Sequence, residues 1–188
     1  HRKLISWLTI PTGFKNGMDG NIDIAMNAIH SAQDIHAFLW VDMSWHLWQV
    51  QTCWNENTHV ILRGGSNGPN YDKETIHSSA KEICKEANST GILVDCSHGN
   101  TWKDYTKQEW VCTYISELIW EWNMQVIWVM IEANIHEWSQ GFNVGITQVS
   151  DLQRGVSLSD SCVSLETNAR MLHQLNQSVN KRCNINAK

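Results

Sequence analysis

Five short runs of apolar, largely branched residues, at 4–10, 36–42, 59–62, 91–95 and 125–131, alternate with longer stretches of helical periodicity. The runs lack the polar–apolar alternation of a strand with one wet face, which predicts parallel strands buried on both faces. The stretches between predict helices over 19–32, 72–87, 106–122 and 165–181. The first places Ile22, Ile24, Ala25, Ala28 and Ile29 largely on one side, and the second opens on Asp72, a residue suited to capping. Pro11 and Pro69, the two prolines, both fall after strand candidates. Strand–helix alternation of this kind means βαβ units. Five strands in 188 residues is about 38 residues per unit, the size of a barrel repeat, whereas a closed eight-stranded barrel needs on the order of 250 residues. The expected fold is α/β: a (β/α)8 TIM barrel present as about five βα units, an incomplete barrel, with residues 1–188 as one domain.

Composition narrows the function classes. An apolar share of 42% excludes a disordered chain, and 14 basic against 19 acidic residues gives −5, with no basic stripe for nucleic acid. A few converging cations can still bind an anionic substrate in an acidic protein. No run reaches the roughly 20 apolar residues of a membrane span, and nothing at the N-terminus reads as a signal peptide. The six cysteines form no CxxC pair, which predicts reduced thiols and a cytoplasmic protein. The start at His1, without Met, reads as that of a fragment. Eight of the eleven tryptophans cluster, four in 40–54 and four in 120–138; such stripes are more often core than ligand cage.

Charged and ligating residues recur where strands end. Lys15 follows the first run, Arg63 ends the third, His98 follows the fourth, Glu132 ends the fifth and Asp160 lies in the loop beyond. From Arg63 to His98 is 35 residues and from His98 to Glu132 is 34. In a barrel the C-terminal ends of the strands converge on one mouth, where catalytic groups collect. Lys15 and Arg63 suit phosphate or carboxylate, the Arg as a bidentate fork and the Lys as a point charge. His98, Glu132 and Asp160 form an N,O,O set suited to a divalent metal such as Mn, Fe, Zn or Co. Taken singly, each has a plainer reading: a hydrogen-bonded structural His, or a carboxylate acting as cap or ion-pair partner. Asp95 and Cys96 are candidates to support His98 from behind, whereas His59 reads as structural.

The same segments resemble a known family. Gly13-Phe14-Lys15-Asn16-Gly17 with Asp19-Gly20 is similar to the GFKNGxDG motif of type I 3-deoxy-7-phosphoheptulonate synthases. His59-Val60-Ile61-Leu62-Arg63-Gly64-Gly65 resembles HxILRGG, and Pro69-Asn70-Tyr71 the PNY that follows it. Val94 to Asn100 resembles DxSHxN, Val129-Met130-Ile131-Glu132 a strand ending in a ligand Glu, and Gly155 to Cys162 GxSxTDAC. The resemblance runs from about Leu8 to Arg182 and corresponds to the fourth through eighth barrel strands. It implies a transferase of the shikimate pathway, for aromatic amino acids, that condenses phosphoenolpyruvate with erythrose 4-phosphate. Lys15, Arg63 and His98 would contact phosphoenolpyruvate, Lys15 and His98 would act catalytically, and His98, Glu132 and Asp160 would hold the metal. It also implies a homo-oligomer and an aromatic amino-acid effector pocket beside Phe38-Leu39-Trp40-Val41, which the indole of Trp40 would fill.

The departures are specific. The family's fourth ligand, a Cys on an early strand, has no counterpart here, and the erythrose phosphate-binding segment lies upstream. Trp45, Trp54 and Trp138 stand where the family usually has Gly. Alternatives are a 3-deoxy-octulosonate-phosphate synthase type of enzyme, a Schiff-base aldolase using Lys15, and a non-catalytic half-barrel. This chain alone is expected to be inactive.

Overall fold

Four strands form one parallel sheet in a computed structural model that describes residues 2–86, 91–121 and 125–186. The strands are β1 (Thr12–Lys15), β4 (Thr58–Leu62), β5 (Ile92–Asp95) and β6 (Val126–Met130), in the order β1-β4-β5-β6. Registers run from Thr12 opposite Thr58 to Lys15 opposite Ile61, and from Val60 opposite Ile92 to Leu62 opposite Val94. An irregularity between Ile92 and Leu93 sets Leu93 opposite Trp128. Helix α3 (Lys73–Glu86) crosses from β4 to β5, and α4 (Gln108–Glu121) from β5 to β6. Helix α2 (Asp23–Gln33) and a hairpin of β2 (Ala37–Val41) and β3 (Leu47–Gln51) fill the crossover from β1 to β4. Two short strands, β7 (Ala133–Asn134) and β8 (Val163–Ser164), pair in parallel before α5 (Leu165–Asn186).

The two faces of the sheet differ, and the period of two explains how. Val60, Leu62, Ile92 and Val94 are fully buried and pack with Ile29, Ile76, Ile83, Ile115 and Met171 of the helices. Burying a side chain of that size contributes roughly 1.5–3 kcal/mol. On the opposite parity Ile61 and Leu93 are only half-buried and Trp128 is 46% exposed. Burial on both faces, expected from the sequence, therefore holds for the helix side alone. The other face would be an interior only if more strands curled over it, and the sheet among the described residues has two edges.

Side-chain caps open two of the helices. Asp72 accepts from the backbone N–H and the hydroxyl of Thr75, and Ser164 Oγ accepts from Thr167 N. Helix α2 starts after Ile22 without a side-chain cap, following a turn in which Asn21 Oδ1 accepts from Asp23 N. The cap at Asp72 agrees with the sequence, while Ala87 and Trp122, the expected ends of two helices, lie outside the described residues.

Two strand expectations need correction. Residues 4–10 are no strand: a one-turn helix, α1 (Arg2–Ile5), leads into turns, and the strand begins after Pro11. A short apolar run does not separate buried helix from strand. Here the run is held to the hairpin: Ser6 Oγ donates to Thr52 Oγ1 at 2.8 Å, and Trp7 meets Phe38 and Trp40 edge-on at 6.2 and 6.0 Å. The run at 36–42 is a strand, but it pairs antiparallel with β3 (Ala37 opposite Gln51, Val41 opposite Leu47) outside the parallel sheet. Its apolar residues answer to a hairpin partner, not to a barrel neighbour. The tryptophans are a third correction: every described one, from Trp138 at 44% to Trp45 at 88%, is exposed. They stand on the hairpin, the open sheet face and outer helix faces, and an indole is rarely fully covered.

Candidate active site

The C-terminal ends of β1, β4 and β5 are tied together by three buried asparagines. Asn16 Nδ2 donates to the carbonyls of Gly17 and Gly64 at 2.7 and 3.0 Å, and its Oδ1 accepts from Arg63 N at 2.7 Å. Asn70 donates from Nδ2 to Asn16 Oδ1 at 3.2 Å and accepts from Gly64 N at 2.7 Å. Asn100 Nδ2 reaches the carbonyls of Leu62 and Asp95 at 3.1 and 2.7 Å, while its Oδ1 takes Asn70 N at 2.9 Å. Backbone groups at parallel strand ends have no ladder partner, and these amides satisfy them in the interior. The fit is close enough to demand glycine at one point. Gly64 has φ 70°, and a Cβ there would lie 2.4 Å from the carbonyl carbon of Gly99.

On this frame the side-chain parity delivers the charges. Lys15, Arg63 and Asp95 continue the parity of the half-open face, so they emerge at one mouth. Asp95 is fully buried, and its Oδ2 lies 3.3 Å from Lys15 Nζ and 2.8 Å from His98 Nδ1. The His98 contact has the distance of an ion pair without hydrogen-bond alignment. Asp95 Oδ1 accepts from Ser97 N at 2.8 Å. A buried carboxylate needs such compensation, and here it places a negative charge behind His98.

The other ring nitrogen of His98 faces two acids. Nε2 lies 3.5 Å from Glu132 Oε1 and 3.8 Å from Asp160 Oδ2, and one donor atom from each of the three residues falls within 4.8 Å of the others. Donors around a metal at bonds near 2.1 Å stand about 3.0–3.4 Å apart, so small side-chain movements suffice to fit a divalent ion. The donor set, one imidazole and two carboxylates, suits that ion too. Glu132 is fixed twice over. Ser97 Oγ donates to its Oε2 at 2.8 Å, and fully buried Gln108 bonds both its backbone N–H and its C=O, at 2.9 and 3.2 Å. Asp160 is 44% exposed and lies 3.6 Å from Lys103 Nζ.

Beside these groups is a cavity of about 320 Å³ lined by Met18, Arg63, Gly64, His98, Trp102 and Lys103 among others. Among the described residues, Arg63 has no acidic partner, so its guanidinium is available to an anion. All five residues singled out from the sequence thus gather at one end of the sheet. His98, Glu132 and Asp160 form one cluster, Lys15 joins it through Asp95, and Arg63 shares the cavity with His98. From the sequence, Gln108 and Lys103 gave no signal, and Asn16, Asn70 and Asn100 were quoted within the strand-end motifs without a role of their own.

The DAHP synthetase I family profile matches residues 1–173. The chain belongs to the DAHP synthetase I family. It is 37% identical to the Tyr-sensitive phospho-2-dehydro-3-deoxyheptonate aldolase of Escherichia coli, over 96% of this chain and 49% of that protein. It is 38% identical to a tyrosine-inhibited relative from Schizosaccharomyces pombe, over 97% and 49%. A solved phospho-2-dehydro-3-deoxyheptonate aldolase from Francisella tularensis superposes with TM-score 0.86 at 37% identity, covering 97% of this chain and 52% of that one. The chain spans about half the length of the curated relatives it matches.

Within this DAHP synthetase I chain the neighbouring groups separate cleanly. Asp95 is the residue against His98; Cys96 turns to the helix side and contacts Cys112, and that hydrogen bond together with burial holds its thiol well above the usual range. His59, buried at the start of β4 with its ring 4.8 Å from Trp128, has its pKa lowered by burial and is structural. Trp45 and Trp138 adopt φ of 63° and 70°, in the left-handed region that favours glycine. Trp54 is not among the positive-φ residues. No helix among the described residues is long and apolar enough to cross a membrane.

Proposed function

We propose that this chain forms the C-terminal part of the (β/α)8 catalytic domain of a 3-deoxy-7-phosphoheptulonate synthase, condensing phosphoenolpyruvate with erythrose 4-phosphate and releasing phosphate. The observation that carries this reading is the His98–Glu132–Asp160 cluster within 4.8 Å, beside the Arg63 cavity and the Lys15–Asp95 pair. His98, Glu132 and Asp160 would hold Mn, Fe, Zn or Co, which would supply Lewis acidity toward the sugar aldehyde. Arg63 and Lys15 would hold the carboxylate and phosphate of phosphoenolpyruvate, fixing the enol carbon for attack. Water adds to C2 of the enolpyruvyl unit as C3 forms the new bond to the aldehyde carbon, and the C2–phosphate oxygen is lost as phosphate. Lys15, next to Asp95 at 3.3 Å, would deliver a proton to the new alkoxide and regain one from solvent.

The hairpin exposes Leu39, Trp40, Trp45, Leu47 and Trp48, a surface suited to a homo-oligomer of a cytoplasmic enzyme. The relatives' names refer to tyrosine. Here the Trp40 indole, packed on Trp7 at 6.0 Å, would take up the room beside β2 that the family resemblance assigns to an aromatic effector. Equilibrium dialysis of phosphoenolpyruvate with Mn²⁺ present tests the site reading. The chain is expected to bind it, and Arg63→Ala to bind roughly tenfold or more weakly. Absence of binding by the unaltered chain would leave the non-catalytic half-barrel.

A further inference from the structure

The loop that carries His98 continues through a tight turn, His98–Thr101, into Trp102 and Lys103. His98, Trp102 and Lys103 take φ of 49°, 56° and 62°, in the left-handed region that disfavours side chains. Backbone bonds from Lys103 N to His98 O at 2.8 Å and from Asp104 N to Thr101 O at 3.1 Å hold this conformation. Strain of this kind persists where surrounding structure over-determines it, and it collects at functional sites. Its effect here is to fold the chain back so that Lys103 reaches the cluster it follows. Lys103 Nζ lies 3.6 Å from Asp160 Oδ1, and the same residue lines the 320 Å³ cavity with Arg63. The Lys103 side chain is 72% exposed and, among the described residues, pairs with no second acid. A long, solvated side chain held by one weak pair is free to change partners.

We propose that Lys103 is a switching cation of this site, an inference that rests on the metal and anion reading above. While Asp160 carries no metal, the ammonium of Lys103 neutralises it. A divalent ion on His98, Glu132 and Asp160 takes over that carboxylate and repels the ammonium at the same time. Lys103 then turns to the cavity it already lines, where an anion gains a second cation beside Arg63. Phosphate and carboxylate share this chemistry, and either satisfies it. The consequence is coupling: metal makes anion binding tighter, and by linkage the anion tightens metal binding equally. Lys103 is a binding and positioning residue in this account, apart from Lys15, which is paired with buried Asp95.

Calorimetry of the full chain with Mn²⁺ and with inorganic phosphate, singly and together, tests the assignment in the unaltered protein, Lys103→Met and Lys103→Arg. Lys103→Met is expected to bind Mn²⁺ about threefold more tightly without phosphate, the scale of an exposed ion pair. With Mn²⁺ saturating, it is expected to bind phosphate roughly tenfold more weakly, and the mutual enhancement disappears. Lys103→Arg keeps the charge and stays near the unaltered protein. Opposite signs for the two ligands distinguish the switch from a folding defect, which weakens both. Unchanged affinities in Lys103→Met, or weaker Mn²⁺ binding, overturn the role of Lys103 while the metal site stands. Failure of the unaltered chain to bind Mn²⁺ overturns both.

Discussion

The strand-end site and the β2–β3 hairpin are built on opposite principles. At the site, Asn16, Asn70, Asn100 and Gln108 are buried and bond backbone on neighbouring loops, so each catalytic candidate sits on chain that is held from several sides. In the hairpin, Leu39, Trp40, Trp45 and Trp48 face water, and the turn is gathered by one surface carboxylate. Asp42 accepts from Ser44 N, His46 N and the Trp48 indole at 2.8, 3.0 and 2.9 Å. The contrast teaches where this fold can be altered without losing its chemistry: change in the hairpin is local, and change among the buried amides spreads to three loops.

The largest expected effect breaks the frame. Asn100→Leu strips partners from two buried carbonyls, Leu62 and Asp95, and from the N–H of Asn70. Leaving buried polar groups unmet costs about 1–3 kcal/mol each, so a loss of about 3 kcal/mol or more is expected in urea unfolding. A loss below about 1 kcal/mol would mean the network is ornamental. A smaller effect of opposite sign is expected in the hairpin. Trp45 is 88% exposed at φ 63°, so Trp45→Gly sheds strain with little packing to lose and should stabilise by about 0.5–1 kcal/mol. Destabilisation by that exchange would show that the indole packs on something in solution, such as a second copy.

The smallest effect is one of pH. Hydrogen bonds, led by that from Trp48 and then those from His46 and Ser44, hold the Asp42 carboxyl below its ordinary value. A depressed carboxylate contributes stability that is full above the unfolded value of about 3.9 and fades as pH falls through the folded one. Tryptophan fluorescence should therefore report loosening of the hairpin below about pH 4 that Asp42→Asn removes. An identical acid profile in Asp42→Asn would assign the change elsewhere.

Much of this was legible in the sequence, for reasons the structure makes plain. Strands β4, β5 and β6 announce themselves as short branched apolar runs, and in β4 and β5 the helix-side residues are fully buried. Arg63, His98, Glu132 and Asp160 were found because they recur at or just beyond strand ends, at 35- and 34-residue spacing for the first three, and fall within the family-like motifs. Residues 4–10 misled because a short apolar run does not tell a strand from a helical turn, and here Leu4, Trp7, Leu8 and Ile10 stay exposed while Ser6 is buried against Thr52. Strand β2 misled because its length and composition do not reveal whether the partner is parallel or antiparallel. The roles of the asparagines and of Lys103 could not be read because they depend on loops distant in sequence meeting in space, as Asn16 meets Gly64 across 48 positions.

The central claim is that His98, Glu132 and Asp160 act as one metal-binding unit, and Mn²⁺ calorimetry on the unaltered chain and on Asp160→Ala tests it most directly. Asp160 is the most accessible of the three, so its removal should leave the fold intact, which circular dichroism checks. The account predicts saturable binding at one site, weakened at least about tenfold in Asp160→Ala. Equal binding by the two proteins would contradict it.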